Sequence, residues 1–339
     1  MLKKILSLLL VTTLVLSLAV GCAGSGEKLT VGMITDTGGL GDQSFNDSAW
    51  DGLGKAEKDL KIERKVLESE TADDYGPNLT SFAEEKIDLI IGVGFLFETT
   101  MKDAAKQFPE QKFAVVDAVI LDENGQPIPN VASLTFAEHE GSFLVGVIAG
   151  MTTKTNKVGY IGGMKFPTIQ KFEYGFRAGV KAVNPDAEVI VNYADSFEDS
   201  AKGKEIALAQ NQMGADVIYH AAGAVGVGLI QAAEEKGFWA IGVDKDQSDL
   251  APENVLCSMI KRVDTSTFAI TELVKENKFE GKNFVYDLKN DGVGYSDKAG
   301  NLTDDLKDAA DKYKEAIING KIAVPSTEDE FNSFEIPQI

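Results

Sequence analysis

The strongest constraint in this chain is an alternation, run through twice, of short apolar β-rich segments with longer amphipathic ones. The first series of apolar segments is Leu29–Ile34, Arg64–Leu67, Leu89–Val93, Phe113–Val116 and Val131–Phe136. Helical patterns fall between them at Ser44–Leu60, where Ser44 reads as the capping residue, and at Phe97–Phe108, which Pro109 closes. The second series is Val158–Ile161, Glu188–Tyr193, Val217–Ala221 and Trp239–Val243, with helices near Thr168–Val183, Ser200–Met213 and Val225–Lys236. Strands that read as unbroken apolar runs are buried on both faces, the condition of a parallel sheet covered by helices. Two such series in 339 residues, more than one hydrophobic core usually spans, predict a two-lobed α/β protein. Beyond Val243 follow Val255–Val263, a helix over Asp264–Glu276, strand-like pieces at Phe284–Leu288 and Val293–Tyr295, and a last helix over Thr303–Ile318. No sequence repeat relates the halves, so the predicted lobes are alike in architecture only.

Ahead of this body, Lys3 and Lys4 precede an apolar run, Ile5–Val20, and then Gly21-Cys22. That is the pattern of a secretory signal, and the run falls short of the roughly 20 apolar residues a spanning helix needs. Leu18-Ala19-Val20-Gly21-Cys22 resembles the bacterial lipoprotein box, whose cysteine is acylated and becomes the new N-terminus. Cys22 is thus expected to carry a lipid anchor, with Ala23–Glu27 as a flexible tether; the competing reading is plain cleavage and a free thiol. The other cysteine, Cys257, stands in an apolar run and reads as a small buried hydrophobe.

Charge narrows the partners. The chain carries 53 acidic against 33 basic residues, a formal −20, which repels nucleic acid and favours a neutral or cationic small ligand. With 2 histidines it has little from which to build a metal site, and no cofactor is expected. Dinucleotide binding needs G-x-G-x-x-G at the first turn, and Gly38-Gly39-Leu40-Gly41-Asp42 has the wrong spacing. Gly223-Ala224-Val225-Gly226-Val227-Gly228 has the wrong order, and no G-x-x-x-x-G-K-[ST], G-x-S-x-G, H-E-x-x-H or C-x-x-C occurs. His220 lies inside the strand Val217–Ala221 and reads as a packed neutral imidazole. With no nucleophile paired to a base, the chain reads as a binding protein and not an enzyme.

Open parallel sheets bind ligands just beyond the carboxyl ends of their strands. Beyond the predicted strands stand Asp36, Phe95, Asp117, Asp195, Gly223 and Asp244. A single carboxylate there also reads as a helix cap or a loop acid, but Asp36, Asp117 and Asp244 together point to a cleft between lobes. The connection Thr35–Asn46 adds Phe45 and Asn46 after a glycine-rich turn, and Phe172 opens the aromatic element Phe172–Phe176 of the other half. Rings stack on planar ligands, while Asp and Asn read hydrogen-bonding edges. The competing reading for each ring is a core-facing helix position.

Taken together, Thr35–Asn46, Val116-Asp117, Phe172–Gly179, Gly242–Gln247 and Ser258–Asp264 resemble the basic membrane protein family of bacterial lipoproteins over essentially the whole mature chain. The resemblance implies the type I periplasmic-binding-protein fold: two Rossmann-like lobes, each with a mostly parallel sheet, joined by hinge crossovers. It implies a substrate-binding lipoprotein that captures nucleosides, adenosine, guanosine or inosine, and hands them to an ABC transporter permease outside the cytoplasm. By the same resemblance Phe45 and Phe172 sandwich the base, Asp36 and Asn46 stand near its edge, and Asp117 contacts base or ribose. Asp244 and Lys261 match ribose contacts, with Gly223 letting backbone approach the sugar; Lys261 rests on the resemblance alone, its other reading being a surface lysine beside Arg262.

The expected organisation is a signal peptide over 1–21, a tether over 22–28, a first lobe of 29–138 with 264–283, and a second of 139–263 with 284–339. Hinges are expected near Glu138–Asn156, Val263 and Phe284, with the lobes closing on the ligand. A sugar- or autoinducer-binding protein of the same fold, a nucleoside hydrolase and a lipoprotein with no small ligand are the alternatives this reading leaves.

Overall fold

The structure is a computed structural model that describes residues 28–336 and 338; the signal segment, Cys22 and all but Lys28 of the tether lie outside the described residues. Five strands open the chain: β1 (Thr30–Ile34), β2 (Glu63–Leu67), β3 (Leu89–Val93), β4 (Phe113–Val116) and β5 (Val131–Phe136). Five more follow: β6 (Lys157–Gly162), β7 (Glu188–Tyr193), β8 (Val217–Ala221), β9 (Trp239–Asp244) and β10 (Val255–Lys261). Late in the chain come β11 (Asn283–Tyr286) and β12 (Val293–Ser296). They form two six-stranded sheets of the same winding, β11-β5-β4-β3-β1-β2 and β12-β10-β9-β8-β6-β7. Every pairing is parallel except β10 with β12.

The central strands β3, β4 and β8 are buried at every residue, as their unbroken apolar sequences require. Helices α1 (Phe45–Leu60), α2 (Tyr75–Glu84) and α3 (Glu98–Gln107) cover the first sheet, joined by α8 (Val263–Lys275), which packs on α1. Helices α4 (Glu138–Thr152), α5 (Pro167–Val183), α6 (Ser200–Gln212), α7 (Val225–Lys236) and α9 (Asp304–Ile318) belong to the second lobe, and α10 (Glu328–Asn332) packs on α5. Helix pairs α1–α8, α4–α5 and α6–α7 meet at backbone distance. A Cβ on Gly52 of α1 would stand 2.2 Å from the Asp264 carbonyl of α8, and one on Gly179 of α5 would stand 2.1 Å from the Phe143 carbonyl of α4.

The chain passes between lobes three times: at Ala137 between β5 and α4, at Arg262 between β10 and α8, and over 287–292 between β11 and β12. The third passage corrects the expected boundary at residue 284, because Asn283–Tyr286 pairs in parallel with Ser133–Phe136 and so completes the first sheet. Its alternation of exposed and half-buried residues is that of an edge strand, which apolar-run reading does not assign to either lobe. Each passage leaves the carboxyl end of a strand, β5, β10 or β11, and β5 and β11 run parallel to β4, which ends beside Asp117.

Candidate functional site: a cleft between the lobes

The strand ends turn toward each other by a common device. Asp117 after β4 and Asp244 at the end of β9 occupy matching places in the two sheets, and both adopt left-handed backbone, with φ of 68° and 66°. A non-glycine residue there is uncommon, and here it swings each carboxylate off the strand and into the gap between lobes. Gly94 after β3 (φ 123°) and Gly223 after β8 (φ 56°) are the matching turns on the next strands. A Cβ on Gly94 would come 3.4 Å from the Asp36 carboxylate.

The result is a cleft between the lobes, whose unfilled space of about 550 Å³ includes solvent at its opening. Its walls include all eight residues singled out from sequence: Asp36, Phe45, Asn46 and Asp117 from the first lobe, Phe172, Gly223 and Asp244 from the second, and Lys261 at the crossover. Sequence reasoning did not assign Phe197 at all, and placed Phe95 only beyond a strand; both line the cleft. The Phe95 ring lies 5.0 Å from that of Phe166 and 6.3 Å from that of Phe197, so first-lobe and second-lobe aromatics meet at the mouth.

Lys261 is 1% exposed, which replaces the surface-lysine reading. Its Nζ sits 2.5 Å from Asp117 Oδ2 and 3.6 Å from Glu138 Oε1, and 4.7 Å and 5.5 Å from the ring centres of Phe45 and Phe172. Burial works against this charge, but Asp117, Glu138 and Asp244 outweigh it and hold the ammonium's pKa above its ordinary value. Glu138, the first residue of α4 at a crossover, also pairs with Lys171 at 3.2 Å. Only the structure reveals its part, since a glutamate opening a helix carries no signal of burial.

Burial pushes the carboxyls the other way. Asp36 rises to about 6 despite hydrogen bonds from Asn46 and the Gly38 amide. Asp117 rises to about 6 despite Lys261, and Asp244 to about 7 despite Lys261 and the Ser44 hydroxyl. The Oδ1 of Asp117 is buried without a hydrogen-bond partner among the described residues. Asn46 is occupied: its Nδ2 donates to Asp36 Oδ1 at 2.7 Å and to Asp42 Oδ2 at 3.1 Å, and its Oδ1 accepts from the Asp36 amide at 3.3 Å. It therefore sets the Asp36 carboxylate in place from behind.

Ser44 departs from its sequence reading. Its hydroxyl does not cap α1. Asp42 does so instead, accepting from the amides of Ser44, Asn46 and Asp47 at 2.9, 2.8 and 3.1 Å. Neither histidine is set up as a catalytic base: burial lowers His220 to about 4, where its Nε2 meets Gln247 Oε1 at 2.9 Å, and likewise lowers His139 to about 4. Among the described residues no cluster of three or more His, Cys, Asp or Glu is arranged to hold a metal ion, and no helix is long and apolar enough to cross a membrane.

Two six-stranded, identically wound lobes around one acidic, aromatic cleft make a ligand-binding architecture, and comparison with known proteins says which. The profile of the Bmp family, described as ABC transporter substrate-binding protein PnrA-like, matches residues 29–328. The chain belongs to the Bmp family. It is 41% identical to the ABC transporter nucleoside-binding protein BmpA of Lactococcus lactis, over 88% of this chain and 89% of the relative. It is likewise 41% identical to the CD4+ T-cell-stimulating antigen of Listeria monocytogenes (89% of each chain) and 36% identical to basic membrane protein A of Borreliella burgdorferi (98% of each).

Among solved structures it resembles an ABC transporter solute-binding protein from Aeropyrum pernix, with TM-score 0.82, 28% identity, and coverage of 90% of this chain and 96% of that one. A second ABC solute-binding protein, from Conexibacter woesei, aligns with TM-score 0.69 at 25% identity over 88% and 99%. The fold is thus the type I periplasmic-binding-protein fold, and as a Bmp-family member the chain is a substrate-binding protein of an ABC transporter, which sets its place outside the cytoplasm.

Proposed function

We propose that this Bmp-family chain captures purine nucleosides in the interlobe cleft and delivers them to the permease of an ABC importer. The observation that carries the reading is that Phe45 and Phe172, one ring from each lobe, stand in the walls of one cleft whose polar side chains are carboxylates, the Asn46 amide and one buried lysine. Aromatic faces hold a planar base without regard to its edges; carboxylates accept from ribose hydroxyls and ring N–H groups. The unpartnered Asp117 Oδ1 is an acceptor that a ligand donor would satisfy. Asp244 and Lys261 lie where a ribose would sit, with the Gly223 backbone against it, and Asp36 takes the base edge with Asn46 behind it. The name of the Lactococcus relative supports the same reading.

A phosphate would face Asp36, Asp117 and Asp244 against a single ammonium, so nucleosides are bound and nucleotides refused. The chain performs no chemistry on its ligand. Acylation of Cys22 would hold it at the membrane, and Cys22→Ser should then leave the protein in the soluble fraction.

Thermal unfolding of ligand-stripped protein against adenosine, guanosine, inosine, uridine, their 5′-monophosphates, ribose and galactose tests this directly. A ligand at 100 times its dissociation constant stabilises by about 2.7 kcal/mol, a readable shift. Shifts with purine nucleosides alone are expected; shifts only with sugars, or equal shifts with monophosphates, would overturn the proposal.

A further inference from the structure

Ser44 stands at the N-terminus of α1, where a serine ordinarily turns its hydroxyl onto the first free amides of its own helix. Here Asp42 has taken those amides, and the Ser44 hydroxyl instead crosses the cleft to donate to Asp244 Oδ2. The residue before it crosses too: the Gln43 carbonyl accepts from Gln247 Nε2 of the second lobe at 3.1 Å. Gln247 is fixed from its own side. Its Oε1 accepts from the Val243 amide and faces His220 Nε2, both at 2.9 Å, and its backbone N–H donates to Ser258 Oγ at 3.1 Å. The first-lobe partner is equally rigid, since Asp47 accepts from the Gly41 and Gln43 amides at 2.7 and 3.0 Å and Gln43 is held at φ 55°.

Two adjacent residues of one lobe, each locked by its own loop, thus meet two residues of the other, each locked by its own sheet. Neither Ser44 nor Gln247 lines the cleft. We infer that Gln43-Ser44 with Asp244 and Gln247 forms a two-point latch that holds the lobes shut, so that Ser44 and Gln247 are positioning residues that set how long a ligand stays rather than which ligand enters. Asp244 joins the two tasks: it accepts from Ser44 and it lines the cleft. Lys245 and Asp51 also bridge the lobes at 2.7 Å, but as an exposed pair, which contributes little.

The inference rests on the cleft being the nucleoside site. Stopped-flow binding of guanosine and adenosine to wild type, Ser44→Ala, Gln247→Leu and Lys245→Ala measures association and dissociation separately, and small-angle scattering of each protein without ligand reports closure. Loss of this buried latch bond, which leaves Asp244 Oδ2 without its donor, is expected to speed release about tenfold in Ser44→Ala, with association changed less than about twofold. Lys245→Ala should match wild type, and ligand-free Ser44→Ala should have the larger radius of gyration. Unchanged release from Ser44→Ala would overturn the latch. If Gln247→Leu fails to fold, because His220 and Val243 lose their acceptor, Ser44→Ala decides alone. If wild type binds neither nucleoside, the proposed ligand is wrong, and the scattering then decides the latch: a larger radius in Ser44→Ala upholds it and equal radii overturn it.

Discussion

At the scale of single residues the cleft is a set of charges removed from water and made to depend on one another. Asp244, raised to about 7, gives the sign of one prediction. In the folded chain this carboxyl keeps its proton up to about pH 7, whereas the unfolded chain releases it near its ordinary 3.8. The stability it contributes is therefore complete below about pH 4 and lost as pH rises through about 7. In ligand-free protein, the melting temperature of wild type relative to Asp244→Asn should fall across that window; parallel curves would mean that Asp244 is not held protonated. The rings make a second prediction. Phe45→Ala and Phe172→Ala should each weaken purine nucleoside binding by roughly 5- to 150-fold, the equivalent of about 1–3 kcal/mol of base stacking, as read by calorimetry. Nucleoside affinity unchanged in both variants would point to a sugar-binding member of the same fold.

At the scale of elements, the helix pairs are set by glycines that no larger residue can replace in situ. Gly52→Ala would push a methyl group into the Asp264 carbonyl and the Thr267 hydroxyl, both 2.2 Å from its Cβ position, and part α1 from α8. Overpacking of this kind costs about 1–3 kcal/mol, which urea denaturation should resolve as a lower midpoint with an unchanged slope. Elements were legible wherever burial on both faces writes itself as an apolar run, as in β3, β4, β8 and β9. Helix α2 was hidden by Gly76-Pro77, breaker residues that are tolerated only because they fall in its first turn. Of the cleft, the strand-end carboxylates were legible because their place follows from sheet topology alone. Lys261 could be named only by resemblance, because its partner, Asp117, is distant by 144 residues in the chain. Phe197 sits in a loop with no period to mark it, and Ser44 was misread because the competition from Asp42 for the same amides is a matter of geometry.

At the scale of the molecule, each sheet receives its last strand from one stretch of chain, Asn283–Ser296, which gives β11 to the first lobe and β12 to the second. A chain ending at Lys282 would leave β5 and β10 as uncovered edges, and unpaired edges recruit other chains. Such a truncation should aggregate at concentrations where the full chain stays monodisperse in light scattering. On the ribosome the order matters as well. The first five strands emerge early, yet their sheet waits for a partner that is translated only after the entire second array. Neither sheet can be completed before Asn283–Ser296 has been made, so a chain interrupted ahead of that stretch carries two unfinished sheets at once.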